Sequence, residues 1–178
     1  TDSAHITIPP GKNEDDVIKF IEKINSELPG IMHLELENFY KRGIFVTKKS
    51  GEKAAKKRYA LIDYKNNLKI VGFEYVRRDW STIAKETQKK VIQAILEEGN
   101  PEKAVEIVKN AIENLKSGKV PKKELVILTQ VKKEFKSYES IGPHIAAAKK
   151  AIARGKFLEV GSVIGFVVTR SGKSISEK

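Results

Sequence analysis

Apolar positions over residues 13–28 recur at helical spacing. Val17, Ile18, Ile21, Ile24 and Leu28 share one stripe, Asn13 stands at its head as a side-chain cap, and Glu14, Asp15 and Asp16 fill the first turn, where the helix dipole favours acids. The pattern predicts an amphipathic helix with one face on a sheet. On either side the period drops to two. AHITI (4–8), IMHLELENFY (31–40), GIFVT (43–47), RYALID (58–63) and LKIVGFEYV (68–76) read as strands. A Pro-Pro-Gly turn interrupts them at 9–11, and a hairpin turn at 64–67 carries asparagine where positive φ is tolerated. From Trp80 helical spacing returns. Ser81 caps a helix that aligns Ile83, Val91, Ile92 and Ile95 and stops at Gly99; Asn100 and Pro101 open a second that stops at Gly118. Both stripes are wide, so these two helices should pack on each other. GPHIAAAKKAIARG (142–155) makes a third, Ala-rich helix, and GSVIGFVVTRSGKSI (161–175) closes in a hairpin. The expected class is α+β: a mixed sheet segment with a helix over 1–75, then a mainly helical part over 76–178 ending in a β-hairpin.

Composition narrows the chemistry. The chain has 178 residues, 40% hydrophobic and 32% charged, which suits a folded globular unit rather than a disordered one. It has no cysteine, which excludes disulfides, thiolate metal sites and cysteine nucleophiles. No apolar run approaches the ~18 residues of a membrane span, and no charged segment leads into an apolar one at the start, so a soluble cytoplasmic protein is expected. Thirty-four Lys and Arg against 23 Asp and Glu leave a charge of +11, which favours a polyanionic partner such as nucleic acid.

The charge is concentrated. In TKKSGEKAAKKRYALI (47–62), Lys48, Lys49, Lys53, Lys56, Lys57 and Arg58 face a single acid, Glu52, before the chain turns apolar. VRRDW (76–80) adds a second basic cluster ending in a large aromatic. Two such clusters around one short strand suit the holding of an anion; a solvated basic loop is the plainer alternative.

The order TDS, LELENFYKRGIFVTKK, KKRYALID, VRRDW and GPHIAAAKKAIARG resembles the C-terminal part of an archaeal family B DNA polymerase, the last palm segment followed by the thumb. The resemblance covers nearly the whole chain, and several motifs in order are more specific than any one alone. It implies residues 1–75 as the end of the palm and 76–178 as thumb. In that family a Y-G-D-T-D-S motif carries carboxylates for two catalytic magnesium ions. This chain opens on its last three residues, Thr1, Asp2 and Ser3, so Asp2 is the implied metal ligand and catalytic residue. The K-K-R-Y motif, which lies beside the primer terminus, corresponds to Lys56, Lys57, Arg58 and Tyr59. Minor-groove acceptors sit at nearly equivalent positions in all correct base pairs, so a cation there tests pairing without reading sequence. The family pattern runs straight from FVTKK into the Tyr, whereas here SGEKAA intervenes, and Lys48 and Lys49 become either secondary phosphate contacts or a solvated loop. The resemblance further implies Arg77 and Arg78 on the duplex backbone, with Asp79 orienting an arginine through a forked ion pair. Trp80 is expected in the core, anchoring the first thumb helix, with a stacking role as the alternative. His144, Lys149 and Lys150 would track the duplex from a helix N-terminus, or serve only as structural capping. Glu35 and Glu37 are expected on one strand face, holding an additional metal, standing exposed, or pairing with lysines. His5 and His33 are expected to be ordinary strand residues.

Two-metal phosphoryl transfer needs carboxylates from separate strands to hold ions roughly 4 Å apart, which one Asp does not provide. The resemblance therefore implies the small piece of a split or intein-interrupted polymerase. Such a piece is inactive until joined to a large fragment carrying the fingers and the rest of the palm, and it shares Mg2+, primer-template DNA and deoxynucleoside triphosphates with that fragment in the nucleoid. The alternative is a free-standing basic nucleic-acid-binding module without catalysis. The two differ in one visible respect: a palm piece leaves apolar surface uncovered, which is unusual on a monomer.

Overall fold

The computed structural model describes residues 3–47, 54–169 and 174–176. Asp2, Lys48 and Lys49 lie outside the described residues. The first helix, α1 (Glu14–Glu27), begins in a reciprocal cap: Asn13 Oδ1 accepts from the Asp16 amide at 3.0 Å, and Asp16 accepts from the Asn13 amide at 3.1 Å. Its stripe does not rest on a sheet. Val17 is buried, but Ile18 and Phe20 are exposed, and among the described residues α1 touches other helices and strands only marginally. The chain after it folds back along the helix, where the Asn25 side chain donates to the Leu34 carbonyl at 3.0 Å and accepts from its amide at 2.8 Å. That clamp takes both backbone groups of Leu34 that strand pairing would have used. The stretch 31–39 is therefore irregular despite its alternation, as is 4–8.

Three antiparallel strands follow, β1 (Tyr40–Thr47), β2 (Ala54–Asp63) and β3 (Leu68–Val71), in the order β1-β2-β3. The β2–β3 turn is built by Asp63, whose carboxylate accepts from the Lys65 and Asn67 amides at 2.8 Å each and from Asn67 Nδ2 at 2.9 Å, while Asn66 takes φ 64°. These bonds, the Asn67 side chain foremost, hold the buried Asp63 carboxyl below its ordinary pKa.

The helix that covers this sheet is α2 (Thr82–Glu98), which follows β3 through the 3-10 turn Glu74–Val76. Ile92 and Leu96 pack with Ala60, Ile62 and Phe73, flanked by Ile44, Val46, Leu68 and Ile70. Arg42 of β1 donates through one guanidinium nitrogen to the Leu96 and Glu97 carbonyls, 3.2 Å each, satisfying groups the helix end leaves orphaned. On its other side α2 packs against α3 (Pro101–Lys116), as the two wide stripes predict; Ala104 is buried there. This first core therefore runs through position 75, joining α2 to the sheet. Trp80 is not part of it: the residue is 42% exposed, in the turn before α2, and Phe73 takes the aromatic place in the core.

A second unit follows the short α4 (Lys122–Leu125). Strands β4 (Ile127–Gln130), β5 (Val163–Val168) and β6 (Ser174–Ser176) form an antiparallel sheet with β5 central. The expected terminal hairpin is β5–β6; β4 is an addition to it. Helix α5 (Pro143–Ala153) lays Ala147, Ala148 and Ala151 on Ile164 and Phe166, small residues that let helix and sheet approach closely. Val131 and Ile145 are also fully buried in this unit.

Candidate nucleic-acid interface

The basic motif sits on an irregular stretch of β2. Phe45 pairs with Tyr59, but the next β1 pair is Thr47 with Ala54, so β2 carries extra residues and bulges. At the bulge Lys57 adopts φ 57° and is exposed. The chain opposite it must be glycine. Gly72 has φ +70°, and a Cβ there would lie 1.9 Å from the Lys57 carbonyl oxygen.

Arg58, next in the motif, turns to the α2 side. One terminal nitrogen donates to both carboxylate oxygens of Glu74, at 2.6 and 2.8 Å, and the guanidinium lies 5.3 Å above the Phe73 ring. Gln88 of α2 completes the arrangement: its Nε2 donates to Glu74 at 2.8 Å and its Oε1 accepts from the Tyr75 amide at 2.7 Å. The Gln88 amide and the Arg58 charge hold the Glu74 carboxyl below its ordinary value. Tyr59 faces the opposite side, where His5 meets it edge-on at 4.7 Å and Phe45 stacks at 5.8 Å. His5 is thus a ring contact on an irregular segment rather than a strand residue.

On this face Glu37 pairs with Lys69 and accepts from the Tyr40 hydroxyl at 3.2 Å. The Lys69 ammonium lowers the Glu37 pKa, and Glu37 raises that of Lys69. Glu35 and Glu37 do not share a strand face, because β1 begins only at Tyr40. Among the described residues no three His, Cys, Asp or Glu side chains come together as a metal site. The described part of the chain thus offers no complete cage for a divalent ion.

Beyond β3, Arg77 and Asp79 make a two-point fork, Nε to Oδ1 at 2.9 Å and a terminal nitrogen to Oδ2 at 2.6 Å. Arg77 lowers the Asp79 pKa most, with a smaller contribution from Lys132, which brings the second unit within electrostatic reach of this turn. Arg78 is exposed alongside. Lys132 and Lys133 belong to an open cleft of about 480 Å3, shared with Gln130, Tyr138, Ser140 and His144. The Tyr138 hydroxyl accepts from the Lys132 and Lys133 amides at 3.0 and 3.2 Å, and the His144 ring stands edge-on to Tyr138 at 6.1 Å. Lys149 is exposed farther along α5.

The structure thus separates the motif residues by role. Lys57, Arg77, Arg78 and Lys149 reach the surface, Tyr59 is half-buried among rings, His144 lines the cleft, and Arg58 is tied down. Sequence reasoning missed Glu74 and Gln88, which only the fold brings to Arg58. It also missed Lys132 and Lys133, a dibasic pair that could have been noticed.

The described helices include none long and apolar enough to cross a membrane. The family model for DNA polymerase family B matches residues 1–178. The DNA polymerase of Methanocaldococcus jannaschii is 47% identical over 161 residues, covering 90% of this chain and 9% of the relative. Those of Pyrococcus horikoshii and Pyrococcus glycovorans are 46% identical, covering 100% of this chain but 14% and 22% of the relatives. The chain therefore spans less than a quarter of the length of these polymerases. The structure of the family B DNA polymerase from Pyrobaculum calidifontis superposes with a TM-score of 0.67 at 26% identity, over 93% of this chain and 21% of that one.

Proposed function

The chain belongs to DNA polymerase family B, and we propose that it is the part of a DNA-directed DNA polymerase that supplies one catalytic metal ligand, the primer grip and the duplex-holding thumb. In this reading residues 1–75 complete the palm and 76–178 form thumb. The grip is Lys56, Lys57, Arg58 and Tyr59. Arg77, Arg78, His144 and Lys149 hold the duplex backbone, and Asp79 keeps Arg77 extended in one orientation.

Asp2 is the metal ligand of this reading. It would hold Mg2+ together with carboxylates on the remainder of the polymerase; Glu35 and Glu37 would serve a further ion only if Glu37 gave up Lys69. When bound, such ions neutralise charge developing on a transferred phosphoryl group. This chain's own contribution is positional: cations and rings set the primer end beside the segment that carries Asp2. In this reading the 178 residues act, in the nucleoid, only together with the rest of a polymerase: its fingers, the remaining palm and the nucleoside triphosphate site.

One observation favours this over a free-standing basic module. Ile18 and Phe20 on α1, with Ile31, Met32, Leu34 and Leu36 on the stretch clamped to it, are all exposed. A run of apolar surface of that extent on a small protein is unusual unless something covers it. The rest of the polymerase is the cover this reading supplies. Ile18→Glu with Phe20→Glu should leave the isolated chain folded by circular dichroism while reducing co-purification with the large fragment at least tenfold, about 1.4 kcal/mol or more. Unaltered assembly would favour the free-standing module.

A further inference from the structure

Arg58 stands in the motif read above as the primer grip, yet its guanidinium, in a side chain 38% exposed, is already engaged by the protein itself. The two bonds from one guanidinium nitrogen to Glu74 and the Phe73 ring hold it at the seam between β2 and α2, and they do so even though its buried Nε has no hydrogen-bond partner. Glu74 is in turn held by Gln88, which also accepts from the Tyr75 backbone. The chain of interactions runs from the bulged strand through the turn after β3 and into the middle of α2. Two neighbours make it stiff. Gly72 lets the turn press against the Lys57 carbonyl, and the Ile92 and Leu96 packing fixes α2 on the same sheet.

We propose that Arg58, Glu74 and Gln88 are positioning residues, a latch that fixes the Lys57 bulge relative to α2, so that Arg58 acts on the primer end through its neighbours and not by touching DNA. The inference rests on the primer-grip reading above. Its physical basis is that a bulge with a left-handed residue is costly unless its surroundings over-determine it. A charge-assisted contact from one guanidinium nitrogen to both carboxylate oxygens, backed by a neutral amide, is a strong way to do so. The latch also ties the strand carrying the grip to the first helix beyond it. Movement of α2 would then be felt at Lys57.

The test uses the 178-residue chain with two probes, a primer-template with a recessed 3′ end and a blunt duplex of equal length. Gln88→Met keeps side-chain bulk, removes both hydrogen bonds and lies outside the basic motif. It should lower the preference for the recessed end roughly five-fold, the scale of one net hydrogen bond. The salt dependence should stay unchanged because every cation that meets a phosphate is still in place. Amide exchange at residues 57–60 should quicken. The exchanged pair Arg58→Glu with Glu74→Arg should recover end preference relative to either single change. Exchange rates unaltered in Gln88→Met would overturn the latch. So would a reversed pair that binds as poorly as Arg58→Glu alone, since that is the result for direct contact. If the unsubstituted chain shows no end preference, the primer-grip reading fails, and the latch stands or falls on amide exchange alone.

Discussion

Each half of the molecule lays one helix on one face of a three-stranded antiparallel sheet, and the halves differ in how three cations of each are held. Around β1–β3, Arg58 is tied to Glu74, Lys69 to Glu37, and Arg77 to Asp79. Around β4–β6, no ion pair among the described residues engages Lys132, Lys133 or Lys149. Paired cations have fixed positions and diminished net field. Unpaired lysines keep their field and their freedom, and exposed pairs would in any case have added little stability. The first arrangement suits interactions where geometry decides, such as a primer end. The second suits grasping a backbone whose phosphates repeat. The cores follow the same division: large side chains and a bulge in the first, close Ala packing in the second.

The comparison breaks most visibly at Gly72. Gly72→Ala brings a Cβ into the Lys57 carbonyl and forces alanine into left-handed backbone, so it should destabilise the first half by about 3 kcal/mol or more and release the bulge. Thermal unfolding, with amide exchange resolved by segment, would locate the loss; exchange in α5 and β5 should hardly change. A smaller effect is expected in the second half. Replacing Lys132 and Lys133 together by Ala should leave stability near its original value and weaken duplex binding equally for all sequences. The slope of log affinity against log salt should fall by about 0.9 for each phosphate that the two lysines neutralise. Smallest is the acid limb at Glu74. Its folded pKa is depressed below the ordinary 4.5, so the stabilisation is complete above that value and fades as pH falls through the folded pKa. Unfolding midpoints of the original and Glu74→Gln chains should therefore differ at neutral pH and converge as the pH falls through the depressed folded pKa.

What was legible in the sequence was local. The Asn13 cap, the Asn100–Pro101 start, the Gly99 stop and the asparagine turn after Asp63 all depend on residues within a few positions, and the structure has each of them. The LELE alternation misled because Asn25, several residues back, claimed the backbone of Leu34. The partner of the sheet was misassigned for a related reason: α1 and α2 both carry apolar stripes, and periodicity does not say which one lies on the strands. At the candidate site the basic clusters could be found by inspection. That Arg58 is committed to Glu74 and Gln88 could not, because those residues lie 16 and 30 positions away along the chain, and Glu74 fell in a stretch that read as strand.

The central claim is that this chain completes a polymerase active site with Asp2, and primer extension tests it most directly. The chain alone should incorporate no nucleotide at any magnesium concentration, since a single carboxylate does not hold two ions. Combined with a large fragment that ends in the first part of the palm motif, it should give magnesium-dependent, template-directed synthesis. The same pair carrying Asp2→Asn, which keeps shape but removes the charge, should assemble and bind primer-template normally and extend nothing. Extension by the Asn variant at the original rate, or extension by the small chain unaided, would contradict the account.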